Sequence, residues 1–265
     1  MKNVLITGGN GYIGGNLERK LIEKNCDITI ADKGMTVYDY SVYDGVVHLA
    51  ALSGIAACKN DFQSGVWDNI ISAFTVFEEC RNCRIPVVFT SSQAAKTPLA
   101  NLYATIKAII EVKAKQINMA GGDIKVLRLA NVYGGYGYFN KKNTVVKKML
   151  NQKFIGGPVH VHGDGTQTRD FIHVDDVCEY IIRALEYDNK IIVPVDIGTG
   201  IETTILDLAR MMRHHFAFTD ARVVGVDSNV ADITRAVALF DYRAPSRIQK
   251  YIDEMIDLHS QRPVI

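Results

Sequence analysis

Val4-Leu5-Ile6-Thr7-Gly8-Gly9-Asn10-Gly11-Tyr12-Ile13-Gly14 is the stretch that decides the fold of this chain. Three branched aliphatic residues form a short buried strand, the glycines allow a tight turn, and Gly14–Lys24 continues at helical spacing. Glycine there lets the backbone approach a pyrophosphate, and the helix N-terminus behind it offers free N–H groups and a favourable dipole. A glycine triplet alone is also what any tight turn uses. Its position between a strand and a helix is what points to a dinucleotide. Gly8, Asn10, Gly11, Tyr12, Ile13 and Gly14 are therefore expected around the cofactor.

The same rhythm continues outward. Ile28–Ile30, Val46–Leu49, Val87–Phe89, Val126–Leu129 and Val193–Ile197 read as strands, while Val66–Arg81, Tyr103–Met119 and Asp170–Glu186 (with its lead-in) read as helices. Continuous apolar strands alternating with helices predict an α/β fold, a doubly wound parallel sheet covered on both faces. The rhythm breaks over Gly134–Arg169 and again after Gly198, which predicts a smaller discontinuous C-terminal substrate lobe. The expected division is 1–133 with 170–198 for the nucleotide-binding domain, and 134–169 with 199–265 for the lobe. No internal repeat interrupts this scheme.

Composition narrows the classes of function. The 265 residues are 48% hydrophobic and 22% charged, so the chain can bury a core and is not disordered. A net charge of +1 supplies no global basic field for nucleic acid or an anionic membrane, so neither is an expected partner. No segment approaches the roughly 18 apolar residues of a membrane span, and the N-terminal apolar run is too short for a signal peptide. A cytoplasmic location is expected. The five cysteines are odd in number and scattered, against a disulfide framework. Cys80-Arg81-Asn82-Cys83 has redox or zinc spacing but no second ligand pair, and a structural role is the plainer reading. His160 and His162 share a strand face without a third ligand, so no metal is expected.

Asp32 ends the second strand, eighteen residues beyond Gly14. A carboxylate there accepts both hydroxyls of the adenosine ribose and repels a 2′-phosphate, favouring NAD over NADP. Lys33 beside it weakens that preference unless it is merely solvated. Asp39 either contacts the adenine edge or forms a surface turn. The helix Tyr103–Met119 is apolar around most of its circumference, so it is buried on two sides. One side meets the sheet; the other meets either a second subunit, together with helix 66–81, or the second lobe. A homodimer is expected.

Five motifs in order carry a family resemblance: Thr7–Gly14, Val47-His48-Leu49-Ala50-Ala51, Phe89-Thr90-Ser91-Ser92, Tyr103-Ala104-Thr105-Ile106-Lys107, and Gly163-Asp164-Gly165-Thr166-Gln167-Thr168-Arg169-Asp170. Over nearly its whole length the chain resembles the extended short-chain dehydrogenase/reductases, specifically the NAD-dependent epimerase/dehydratase family acting on nucleotide sugars. The resemblance implies a Rossmann-type domain holding NAD, with Leu49, Ala50 and Ala51 against the cofactor, and a lobe holding the nucleotide sugar. It implies Tyr103, Lys107 and Ser92 as the catalytic set.

Chemistry stands beside that resemblance. Tyr103 and Lys107 are four residues apart and share a helix face. A phenol titrating near ~10 needs roughly three units of depression, about 4 kcal/mol, to act as a base near neutrality. A neighbouring ammonium and the positive nicotinamide ring can together supply it. A second Tyr-x-x-x-Lys, Tyr138–Lys142, lies in a Gly/Asn-rich loop and lacks the strand-then-helix setting. Where the family's dehydratases carry an Asp-Glu pair after the serine, this chain has Gln93-Ala94, neither of which exchanges protons near pH 7. What remains is reversible oxidation of one carbinol, hence 4-epimerisation, with UDP as the expected nucleotide. A dehydratase or ketosugar reductase on the same fold, or a non-catalytic NAD- or sugar-binding protein, are the competing readings.

For the substrate the resemblance implies Ser53, Ser92, Gln93, Asn131, Asn143, Thr144 and Val145. Arg169 is the expected diphosphate clamp, since a guanidinium offers phosphate a bidentate fork. His162 occupies the place of a base-stacking aromatic, or is a plain strand histidine. The second phosphate is expected to meet Arg222 or Arg235. The segment between Ser92 and Tyr103 is shorter than is usual in the family, predicting a more open site.

Overall fold

Short aliphatic runs become the strands of one parallel sheet, and the amphipathic stretches between them become its two covering layers. The computed structural model describes residues 2–33, 39–135, 144–220 and 228–261. Strand β1 (Asn3–Thr7) leads through the glycine turn into α1 (Tyr12–Glu23), followed by β2 (Asp27–Ala31) and β3 (Gly45–His48). Helices α2 (Ile55–Asn60) and α3 (Phe62–Val66) come next, then a π-helical turn at Trp67–Ile71 and α4 (Ser72–Cys83). Strand β4 (Val87–Ser92), a 3-10 turn at Gln93–Lys96, α5 (Leu102–Met119) and β5 (Ile124–Leu129) complete this half.

The second half runs β6 (Asn131–Tyr133), α6 (Val145–Phe154), β7 (Val159–His162), β8 (Thr168–Arg169), β9 (Phe171–His173), α7 (Val174–Glu186) and β10 (Val195–Ile197). It closes with β11 (Thr203–Thr204), α8 (Ile205–Met211), β12 (Phe216–Thr219), β13 (Ser228–Asn229), α9 (Thr234–Phe240) and α10 (Ile248–Ser260).

The six-stranded sheet has the order β10-β5-β4-β3-β1-β2, with every pairing parallel. Successive side chains point to opposite faces. Leu5, Val46, Phe89 and Val126 pack against α4 and α5, whereas Val4, Ile6, Val47 and Leu127 pack against α1 and α7. The direction of winding reverses between β1 and β3. In sheets of this kind the crevice beyond the carboxyl ends of the strands at such a reversal receives the ligand.

A third apolar cluster, including Tyr133, Met149, Val161, Leu208 and Ile252, is the core of the lobe. Ala236, Phe240 and Ala244 pack instead with Tyr180 of α7. Thus α9 lies against the sheet domain, and α10 packs with the lobe.

Two expected helices differ in detail. The stretch 66–81 is not one helix but the end of α3, the π turn and most of α4. The stretch 170–186 opens with β9, and α7 begins at Val174, where His173 Nδ1 accepts the Asp175 N–H at 3.2 Å. No described helix is long and apolar enough to cross a membrane.

Candidate active site

The glycine turn is fixed by its own geometry. Gly8 has φ +74°, its N–H donates to the Ala31 carbonyl at 2.8 Å, and a Cβ there would come within 2.6 Å of the Ala50 nitrogen. At Gly14 a Cβ would lie 2.4 Å from the Gly9 carbonyl oxygen. Both positions require glycine. No side chain caps α1, whose first turn carries no acidic residue, so its leading N–H groups and dipole face the crevice. Tyr12, Ile13 and Gly14 line that crevice; Asn10 is not among its described lining residues, and its N–H donates to Asp32 Oδ2 at 3.2 Å.

A cleft of about 890 Å³ opens from this turn past the end of β2. Asp32, Lys33, Asp39, Leu49, Ala50 and Ala51, the residues expected near the cofactor, line it. Asp39 is both turn and wall: its Oδ1 accepts the Ser41 N–H and hydroxyl, which hold its carboxyl below the usual range. Trp67 and Asp68 also line this cleft. Sequence reading missed them, because 66–81 reads as one helix and nothing in it places Trp67 and Asp68 beside β2.

A second cleft of about 370 Å³ continues toward the lobe. Ser92, at the end of β4, accepts the Ala94 N–H at 3.2 Å and so starts the 3-10 turn. Asn101 caps α5 through the Ala104 N–H at 2.9 Å, which sets Tyr103 and Lys107 on the face toward β4. Lys107 is buried; its Nζ donates to the Thr90 carbonyl at 2.9 Å and lies 4.7 Å from the Phe89 ring centre. Ser53, Ser92, Tyr103 and Lys107 share this cleft with Asn131 and Thr144.

Without a nicotinamide ring beside it, Tyr103 does not have the environment of a base. Burial pushes its phenol up to about 12, and the hydrogen bond with Ser92 offsets only part of that rise. Lys107 is occupied at the Thr90 carbonyl, 6.0 Å from the tyrosine ring centre. Behind it, buried His48 is held at about 3 by burial and by the charge of Lys107, so it is neutral. Its Nδ1 pairs with the Thr7 hydroxyl at 2.7 Å, and its ring stacks on Phe89.

At the substrate end, the Asn131 backbone N–H and side-chain amide both donate to the Asp170 carbonyl, at 2.9 and 3.2 Å. Thr144 caps α6 by accepting the Lys147 N–H, and Val145 follows it on the cleft wall. Asn143, Arg222 and the second Tyr-x-x-x-Lys pair, Tyr138 and Lys142, lie outside the described residues.

Four expected contacts are not brought to this wall. The 3-10 turn sends Gln93 back into the sheet, where its amide donates to the Arg128 carbonyl at 3.0 Å. The His162 ring pairs with the Thr219 hydroxyl at 2.6 Å across the β7–β12 pairing. Arg169 lies on β8 and donates to the Thr168 carbonyl at 2.6 Å, beside the fully buried Asp170 that holds Thr199 and Gly200. Arg235 is exposed on α9. Among the described residues lining the second cleft, Lys107 is the one cation. No group of three or more His, Cys, Asp or Glu among the described residues is arranged to hold a metal.

A sequence profile of the NAD dependent epimerase/dehydratase family matches residues 4–198. The chain belongs to that family. It is 29% identical over 258 residues to a putative UDP-glucose 4-epimerase of Methanocaldococcus jannaschii, covering 81% of this chain and 83% of the relative. It is 25% identical to dTDP-4-dehydro-6-deoxy-D-allose reductase of Streptomyces bikiniensis, covering 96% of this chain and 94% of that one. The UDP-glucuronic acid 4-epimerase of Bacillus cereus, solved with UDP-glucuronic acid and NAD, shares the fold with a TM-score of 0.84 at 22% identity, covering 98% and 99% of the two chains.

The family is NAD-dependent, and these residues fit that cofactor. The spaces that side chains at Gly8 and Gly14 would fill are left to the backbone turn, the N-terminus of α1 is uncapped, and Asp32 stands at the end of β2. Relatives that epimerise and relatives that reduce share this scaffold, so membership alone leaves the reaction open.

Proposed function

We propose that this protein is a nucleotide-sugar 4-epimerase, acting on a UDP-linked sugar through transient oxidation at C4. One observation carries this reading: among the described residues lining the second cleft there is no Asp, Glu, His or Cys. Tyr12 lines it too, but its hydroxyl is committed to the Gly134 carbonyl at 2.8 Å. That leaves Tyr103, hydrogen-bonded to Ser92, as the proton-transfer group. One such group suffices for reversible oxidation of a carbinol, whereas loss of water needs a second acid or base.

NAD bound in the cleft supplies the acceptor and donor of hydride and, when oxidised, a positive ring. Tyr103 Oη then takes the proton of the 4-hydroxyl, and the Ser92 hydroxyl donates to the same oxygen. Lys107 keeps a fixed positive charge below them through the Thr90 carbonyl. Buried Phe89 and His48 exclude water from beneath the lysine. Asn131, Thr144 and Val145 anchor the nucleotide end while the sugar turns over and Tyr103 returns its proton.

The same reading includes a homodimer through α4 and α5. Ile109 and Val112 are 42% and 60% exposed, beside a groove with Phe74, Pro98 and Ala108. Apolar side chains grouped along a helix in this way call for a partner.

The test is incubation of the purified protein and catalytic NAD with UDP-, dTDP-, GDP- and CDP-sugars, followed by NMR of the products. A C4 epimer without net change in absorbance at 340 nm is expected. Stoichiometric consumption of reduced cofactor, a dehydrated product, or recovery of every starting sugar overturns the assignment.

A further inference from the structure

The cleft at the end of β2 holds a charge arrangement that Asp32 alone does not explain. Asp32, Asp39, Asp68 and Glu79 all line it, and Lys33 is the one cation among its described lining residues. Lys33 Nζ lies 3.0 Å from Asp68 Oδ2. Asp68 is the second residue of the π turn at Trp67–Ile71, between α3 and α4. The lysine side chain is 80% exposed and the aspartate 34%, which places the pair at the rim, not in the core.

A ribose 2′-hydroxyl asks of this rim only an acceptor, which Asp32 provides. A 2′-phosphate brings further negative charge and needs a free Lys or Arg. We propose that Asp68 is a determinant of dinucleotide choice. It holds Lys33 away from the 2′-position, so the one cation among the described lining residues is withdrawn from a 2′-phosphate. Asp32 excludes the phosphate by contact; Asp68 does so by occupying its counter-charge. This inference rests on NAD binding in the cleft and is independent of which sugar reaction follows.

The experiment is isothermal titration of NAD+ and NADP+ into the wild type, Lys33→Ala, Asp68→Asn, Asp68→Ser and the double variant Lys33→Ala/Asp68→Asn. In the wild-type background Lys33→Ala is expected to change the NADP+ affinity less than twofold, because the lysine is already engaged. Either Asp68 substitution is expected to improve the NADP+/NAD+ affinity ratio at least fivefold. The double variant is expected to lose more than half of that gain. An unchanged ratio in both Asp68 variants, a weaker NADP+ affinity in Lys33→Ala, or a gain that survives in the double variant overturns the proposal while leaving NAD binding intact. A wild type that binds neither dinucleotide overturns the proposal and the cofactor reading together.

Discussion

Protonation of His48 is unfavourable in the native state, and the size of the effect follows from its surroundings. The imidazole is fully buried beneath Lys107 and held at about 3 against an ordinary value of 6.5. A depressed histidine contributes stability that is present above 6.5 and lost as pH falls toward 3, because the unfolded chain takes the proton and the native one does not. Between pH 7.5 and 5.0 the loss is about 2 kcal/mol, and it approaches about 5 kcal/mol near pH 3. Urea unfolding of the wild type and of His48→Asn at both pH values, followed by far-UV circular dichroism, isolates this contribution, since the carboxylates cancel in the difference. The stability advantage of the wild type should shrink by about 2 kcal/mol at pH 5.0. A difference that stays constant to within about 0.5 kcal/mol would mean that the ring is charged or solvated in the native state, refuting the reasoning.

Two further outcomes follow from the surfaces around α5. Glu111 accepts the Ser91 hydroxyl at 2.5 Å and both the Nε and Nη2 donors of Arg128, so Glu111→Ala should cost about 3 kcal/mol in urea unfolding by leaving that guanidinium with only Asp196, 3.9 Å from its Nη1. A loss below about 1 kcal/mol would show that the network contributes little. Val112→Asp places a carboxylate on the exposed apolar stripe of α5 and should shift the protein from dimer to monomer in sedimentation velocity at micromolar concentration. An unchanged sedimentation coefficient would remove this stripe from the interface.

The sheet was legible because its strands other than β2 are mostly buried on both faces and read as aliphatic runs. Val4–Ile6 and Val87–Phe89 fall inside observed strands, and Val46–Leu49 runs one residue past β3. The dinucleotide turn was legible for a different reason: the left-handed backbone at Gly8 and the close approach at Gly14 exclude other residues. The π turn was not, since five residues are too few to announce a change of helical pitch within 66–81. Nor was the destination of Gln93, which depends on the 3-10 turn that Ser92 starts. Arg169 sits on a two-residue strand paired with β11 and β13, segments distant in the chain, so no local periodicity announced where its side chain would go. The upward displacement of the Tyr103 phenol depends on how deeply it is enclosed, which helical spacing does not reveal.

Strand β2 has a strand neighbour on one side only among the described residues, leaving a row of its amides and carbonyls open to pairing. An open row of this sort is a template on which any extended peptide, including another copy of the molecule, can stack. Here the row is five residues long, begins with an exposed carboxylate at Asp27, and carries the polar Thr29 outward two positions later. Brevity and charge at this margin guard against edge-on polymerisation. Exchanging Asp27 and Thr29 for valine would turn a quiet border into a seed for aggregates.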